Sequence, residues 1–153
     1  MTTPTPSRRD FVASSGLALG GAWLTGAIPF LEPTAAWAAE AVRTGAPLET
    51  FTDREGADFE AFSARIIPTD DTPGAREAGA VHFADRALGS FMDYLMPIVR
   101  PGLADLDDGA QSGHGRPFSD LDEGSQDALV GQVEAENPGF FFFAKTLVML
   151  GFG

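Results

Sequence analysis

Ala75-Arg76-Glu77-Ala78-Gly79-Ala80-Val81-His82-Phe83-Ala84-Asp85-Arg86-Ala87-Leu88-Gly89-Ser90-Phe91-Met92-Asp93-Tyr94-Leu95 carries the best amphipathic pattern in the chain. Val81, Ala84, Leu88, Phe91 and Leu95 recur at steps of three or four, the spacing that lines side chains along one face of an α-helix. His82, Asp85, Arg86 and Asp93 fall off that stripe. The pattern predicts one long helix over 75–95.

Upstream, Ile67-Pro68-Thr69-Asp70-Asp71-Thr72-Pro73-Gly74 is turn chemistry throughout. Ahead of it, Thr52-x-x-Glu55 is a capping-box signature, and Phe59, Phe62 and Ile66 make a second apolar stripe. Pro68 forbids continuation and pushes Ile67 toward an extended conformation, so a helix is predicted over 53–66. Downstream, Pro97 and Pro101-Gly102 punctuate the path before a short helix with Leu103, Leu106 and Ala110. Gln111 to Pro117 reads as a mobile loop, its far end pinned by Phe118 and Leu121. Asp122 can cap a fourth helix with Leu129 and Val133 on its seam, and Asn137-Pro138-Gly139 breaks it to start a fifth, Phe140 to about Leu150. No run alternates with period two. The fold class is all-α: a single small helical domain of about five helices.

The amino-terminal end is of another kind. Arg8-Arg9, with Ser7 before and Phe11 just after, stands ahead of a charge-free apolar run from Phe11 to Leu31. Gly16, Gly20, Gly21 and Gly26 interrupt that run and make it a poor spanning helix, each costing about 1 kcal/mol of propensity against Ala. Ala36-Trp37-Ala38 then gives the small-x-small pattern that signal peptidase accepts. The layout predicts a cleaved twin-arginine export signal over residues 1–38, a route that carries proteins already folded. The same run, kept, would be a membrane anchor. Residues 39–51 read as a solvated lead-in and 52–153 as the helical domain.

Removing residues 1–38 takes two acids and two bases, so the net charge of −12 belongs wholly to the remaining body. So acidic a surface argues against nucleic acid and anionic lipid as partners. The chain has no cysteine, which excludes thiolate metal sites, cysteine nucleophiles and covalent attachment of c-type haem.

In order and spacing, these residues resemble the small third subunit of gluconate 2-dehydrogenase. The resemblance is carried by Ile66-Ile67-Pro68-Thr69-Asp70, by Pro73-Gly74-Ala75-x-Glu77-Ala78-Gly79 and by Phe83-Ala84-Asp85. Gly102-Leu103-x-x-Leu106-Asp107, Phe118-x-x-Leu121, Gln126-x-x-Leu129 and the pair Phe140-Phe141 extend it, from about residue 50 onward. The resemblance implies a non-catalytic subunit that associates with a large FAD-dependent dehydrogenase of sugars or sugar acids in the periplasm. It further implies a multihaem cytochrome c carrying haem c in three-subunit enzymes, and a location peripheral to the inner membrane. The flavoprotein of such a pair commonly has no signal, so the small subunit would escort it through the twin-arginine translocase. Family members usually continue into a segment rich in Pro, Tyr, Gly and Asn, whereas this sequence stops at Gly151-Phe152-Gly153.

No catalytic, cofactor-binding or metal-ligating set stands out. His82 and His114 are the only histidines, and Asp105, Asp107 and Asp108 fail the calcium-loop order. Asp70 and Asp71 have no base or nucleophile at a useful spacing and suit a turn. The export-signal residues are Arg8, Arg9, Phe11, Ala36 and Ala38. Phe140, Phe141, Phe142 and Phe143 span every face of a helix, more than one small core can easily bury, so at least one is expected at a partner interface. The other reading of the chain is a stand-alone exported small enzyme or a membrane-tethered binding module.

Overall fold

The computed structural model describes residues 25–152, and the arginine pair and most of the apolar run lie outside them. Seven α-helices and two 3-10 turns make up the described residues, with no strand among them. They are α1 (Ile28–Thr44), α2 (Asp53–Ile66), α3 (Ala75–Ala78), α4 (Ala80–Leu88), α5 (Met96–His114), α6 (Glu123–Glu136) and α7 (Pro138–Phe152), with the 3-10 turns at Asp93–Leu95 and Phe118–Asp120. α4 and α7 share the most extensive contact, and α1 covers another side of α4. Phe51, Phe59, Phe62 and Phe140 run through the core as a chain of rings with centroids 5.5–6.2 Å apart.

α2 forms as its sequence dictates. The Thr52 hydroxyl accepts from the Glu55 amide at 3.1 Å, and the Glu55 carboxylate accepts from the Thr52 amide at 2.9 Å. The same carboxylate takes the Arg100 guanidinium at 2.6 Å, joining α2 to α5. Burial alone would raise its pKa, but the bonds from Arg100 and Thr52 outweigh burial and hold it below the ordinary glutamate value.

The long helix over 75–95 is three pieces instead. Gly79 sits at φ +78°, a left-handed conformation that ends α3 and re-aims the chain into α4. A β-carbon at Gly79 would lie 2.6 Å from Val42 Cγ2 and 3.0 Å from the Ala38 carbonyl oxygen, so α1 crosses tightly there. Beyond α4 the chain turns through Gly89, and the Met92 amide donates back to Ala87 O at 2.8 Å. The stripe outlives the helix: Val81, Ala84, Leu88 and Leu95 are all buried.

Helix α5 is longer than the sequence reading has it. Pro97 falls in the first turn, where its missing N–H has no partner to lose, and the helix continues through Pro101. It runs on to His114, so the loop expected over 111–117 shrinks to its last three residues, begun by Gly115 at φ +68°. Asp122 caps α6 as expected, accepting from the Ser125 amide at 3.1 Å.

The largest departure is at the amino-terminal side. The solvated lead-in over 39–51 is not one: 39–44 are the last turns of α1, and Ala41 and Phe51 are buried. The boundary expected after Ala38 falls inside α1, whose buried residues Leu31, Thr34, Ala38 and Ala41 form a continuous stripe across it. Gly45 at φ 69° closes that helix. The polar side of α4 is therefore covered in part: Asp85 is buried and His82 half-buried, while Arg86 stays exposed.

Candidate functional site

Asp85 shows what covers that polar side. Its carboxylate is 1 % exposed and accepts three successive backbone amides, from Glu49 at 2.8 Å, Thr50 at 2.9 Å and Phe51 at 2.7 Å. It clamps the segment between α1 and α2 onto α4. His82, half-buried, meets the edge of Trp37 at 6.3 Å, and the Arg86 guanidinium lies 4.7 Å over the same ring. His114 is exposed at the end of α5, on a different element from His82.

The other motif residues also grip backbone. The Glu77 carboxylate accepts the Gly74 amide at 2.9 Å and the Thr69 hydroxyl at 2.7 Å, while Asp70 accepts the Thr72 amide at 2.9 Å. Both carboxyls are held below their ordinary values, Glu77 by the Thr69 hydroxyl first and Asp70 by the Thr72 amide first. A β-carbon at Gly74 would sit 2.6 Å from the Ile67 carbonyl oxygen, so the turn can close only over a bare backbone. Asp107 accepts the Phe118 amide at 3.1 Å, Asp58 the Ser119 amide at 3.1 Å, and Gln126 donates to Phe118 O at 3.1 Å. Two helices, α5 and α6, thus fix buried Phe118 by its main chain, and α2 holds the next residue, Ser119.

Asp58 is the chemically unusual member. It borders a shallow depression with Arg54, Glu55, Arg100, Asp107 and Asp108 and is only 1 % exposed. Burial first, then the Asp107 charge, push its pKa up to about 6, against the Ser119 amide and Arg54, which lower it. Sequence reading missed Asp58, which stands on the turn between buried Phe59 and exposed Ala57 with no period to mark it. A folded-state pKa above the unfolded value means that its contribution is fully present below pH 4 and is lost as pH rises through 6. Asp58→Asn, whose amide oxygen can still accept from Ser119, should therefore stabilise the fold by about 1–2 kcal/mol at pH 8. The gain should shrink toward pH 5. Urea midpoints at both pH values measure it, and an equal gain at each would show that the charge is not the cause.

The aromatic run divides. Phe140 is 1 % exposed, 6.0 Å from Phe62 by ring centroids, and is a core residue. It is withdrawn from the expected partner face because its ring fills the space above Gly102. Phe141, Phe142 and Phe143 are half-buried. Phe141 meets Phe62 edge-on at 6.3 Å and has Lys145 Nζ 5.8 Å from its ring, and Phe142 meets Phe143 edge-on at 5.3 Å. Among the described residues no group of three or more histidines, aspartates or glutamates is placed to hold a metal.

The fold defines a small all-helical domain whose signature residues hold backbone together. The gluconate 2-dehydrogenase subunit 3 family matches residues 53–152, from the first residue of α2 to the last of α7, and the chain belongs to that family. No curated relative and no solved structure matches it. The family name places the chain with a multisubunit oxidoreductase. No helix among the described residues is long and apolar enough to cross a membrane.

Proposed function

We propose that this chain is a non-catalytic accessory subunit that binds a large periplasmic FAD-dependent sugar or sugar-acid dehydrogenase and escorts it through the twin-arginine translocase. The observation that carries the reading is the family match over α2 to α7, in which Glu77, Asp85, Asp107 and Gln126 are spent on main-chain hydrogen bonds. FAD belongs to the large partner and haem c to a cytochrome subunit, so the complex would sit peripherally at the inner membrane. The half-buried Phe141, Phe142 and Phe143 supply the partner face, since aromatics are enriched at such contacts.

Co-purification of a tagged copy, with mass spectrometry of what accompanies it, tests the partnership; recovery without any flavoprotein, or substrate turnover by the chain alone, would oppose it. Replacing Arg8 and Arg9 by Lys tests the escort, because ammonium does not replace planar guanidinium. Both this chain and the flavoprotein should then stay in the cytoplasm, and periplasmic dehydrogenase activity should fall with them. A flavoprotein that still reaches the periplasm while this chain does not would sink the escort reading.

A further inference from the structure

The peptidase pattern Ala36-Trp37-Ala38 lies in the middle of α1; Ala36 and Ala39 are exposed, while Trp37 and Ala38 are turned against the rest of the fold. Ala38 is 0 % exposed, and its carbonyl, the one a peptidase would attack, faces Gly79 at the tight crossing described above. Trp37 is held between Arg86 and His82 of α4. Leu31 and Thr34 are buried on one side of the bond, Ala38 and Ala41 at it and beyond. Farther up, Phe30 stacks on Phe91 at 5.1 Å. A peptidase takes its substrate extended, so α1 would have to leave α4 and unwind before the bond after Ala38 could be reached. Cutting there would also strip Phe30, Leu31 and Thr34 from the domain and leave only residues 39–44 of the helix, too short to stay helical unaided.

We propose that the bond after Ala38 is not cut, and that α1 is a structural helix of the exported protein and not the tail of a discarded signal. The proposal rests on export in the folded state, as read above. A chain threaded unfolded would offer Ala38 before α1 formed, whereas a chain folded in the cytoplasm presents the peptidase with a packed helix. Residues 28–44 lie ahead of the family match, which begins at Asp53.

Intact mass of the chain recovered outside the cytoplasm decides the matter. An amino terminus at or before Ile28 is expected, and one at Ala39 or elsewhere within α1 would overturn the proposal. Ala41→Glu leaves the peptidase pattern intact but puts a carboxylate on the buried stripe. It should release α1 and yield a product beginning at Ala39; if that variant is exported and still uncut, burial is not the protection and the proposal fails. Limited elastase digestion of the purified full chain gives an answer independent of export. Bonds after the alanines of α1 should be cut at least tenfold more slowly than in the urea-unfolded chain, and equal rates would overturn the proposal. Absence of the wild-type chain from the periplasm would strike the export reading alone, because elastase protection still reports on α1.

Discussion

Asp85→Ala should cost about 3–5 kcal/mol of folding stability, a large part of the roughly 5–15 kcal/mol that holds a domain together. The carboxylate accepts the amides of Glu49, Thr50 and Phe51, all within 2.9 Å. Hydrogen bonds to a charged group contribute about 1.5–3 kcal/mol each, and they do not add fully here because the Glu49 and Thr50 amides are only part-buried. The Phe51 amide is buried and would be left without an acceptor. Asp85→Asn should fall between, since its amide oxygen can still accept while its NH2 would oppose one of the three donors. Urea denaturation of the three proteins measures the order. An alanine variant within 1 kcal/mol of wild type would mean that the segment over 48–51 is held by the Phe51 ring and not by its main chain.

That clamp also marks where sequence reading stopped. Helix α2 was legible because cap, stripe and terminator agree within it: Thr52 and Glu55 begin it, Phe59 and Phe62 fill it, and Pro68 ends it. Asp85 reads as a residue on the wet side of a helix, and only the chain from α1 to α2 wrapping over that side reveals its use. Nothing local in residues 80–88 records that long-range partner. The break at Gly79 was hidden for a related reason. A glycine inside a helical pattern is tolerated as often as it ends one, and here the approach of Val42 and Ala38 decides. α1 was set aside because its apolar residues double as an export run. Its stripe is built of Leu31, Thr34, Ala38 and Ala41, two of them too small and one too polar to stand out. The family motifs were legible as a set, yet their purpose was not. Glu77, Asp107 and Gln126 show themselves as backbone ligands only once the turns they hold are in place.

Phe140→Ala should cost a further large amount, about 3–5 kcal/mol, and for a different reason. The ring is 1 % exposed against Phe62, and a β-carbon at Gly102 would fall 2.1 Å from its Cδ2, so helix α5 lies directly on the phenyl face. Removing the ring loses its transfer from water and leaves a void that α5 cannot fill, since Gly102 has no side chain to move into it. Phe142→Ala, from a half-buried position on the same helix, should cost about 1 kcal/mol or less. The contrast separates the core from the proposed partner face. A charge at Phe140 would unfold the chain and say nothing of a partner, whereas Phe142→Asp should keep the fold and weaken co-purification of the flavoprotein several-fold. Denaturation midpoints and pull-down yields for the two positions make the comparison. If Phe140→Ala melts as wild type does, α5 and α7 do not meet through that ring; if Phe142→Asp folds and still carries the flavoprotein in full yield, the partner face lies elsewhere than on α7.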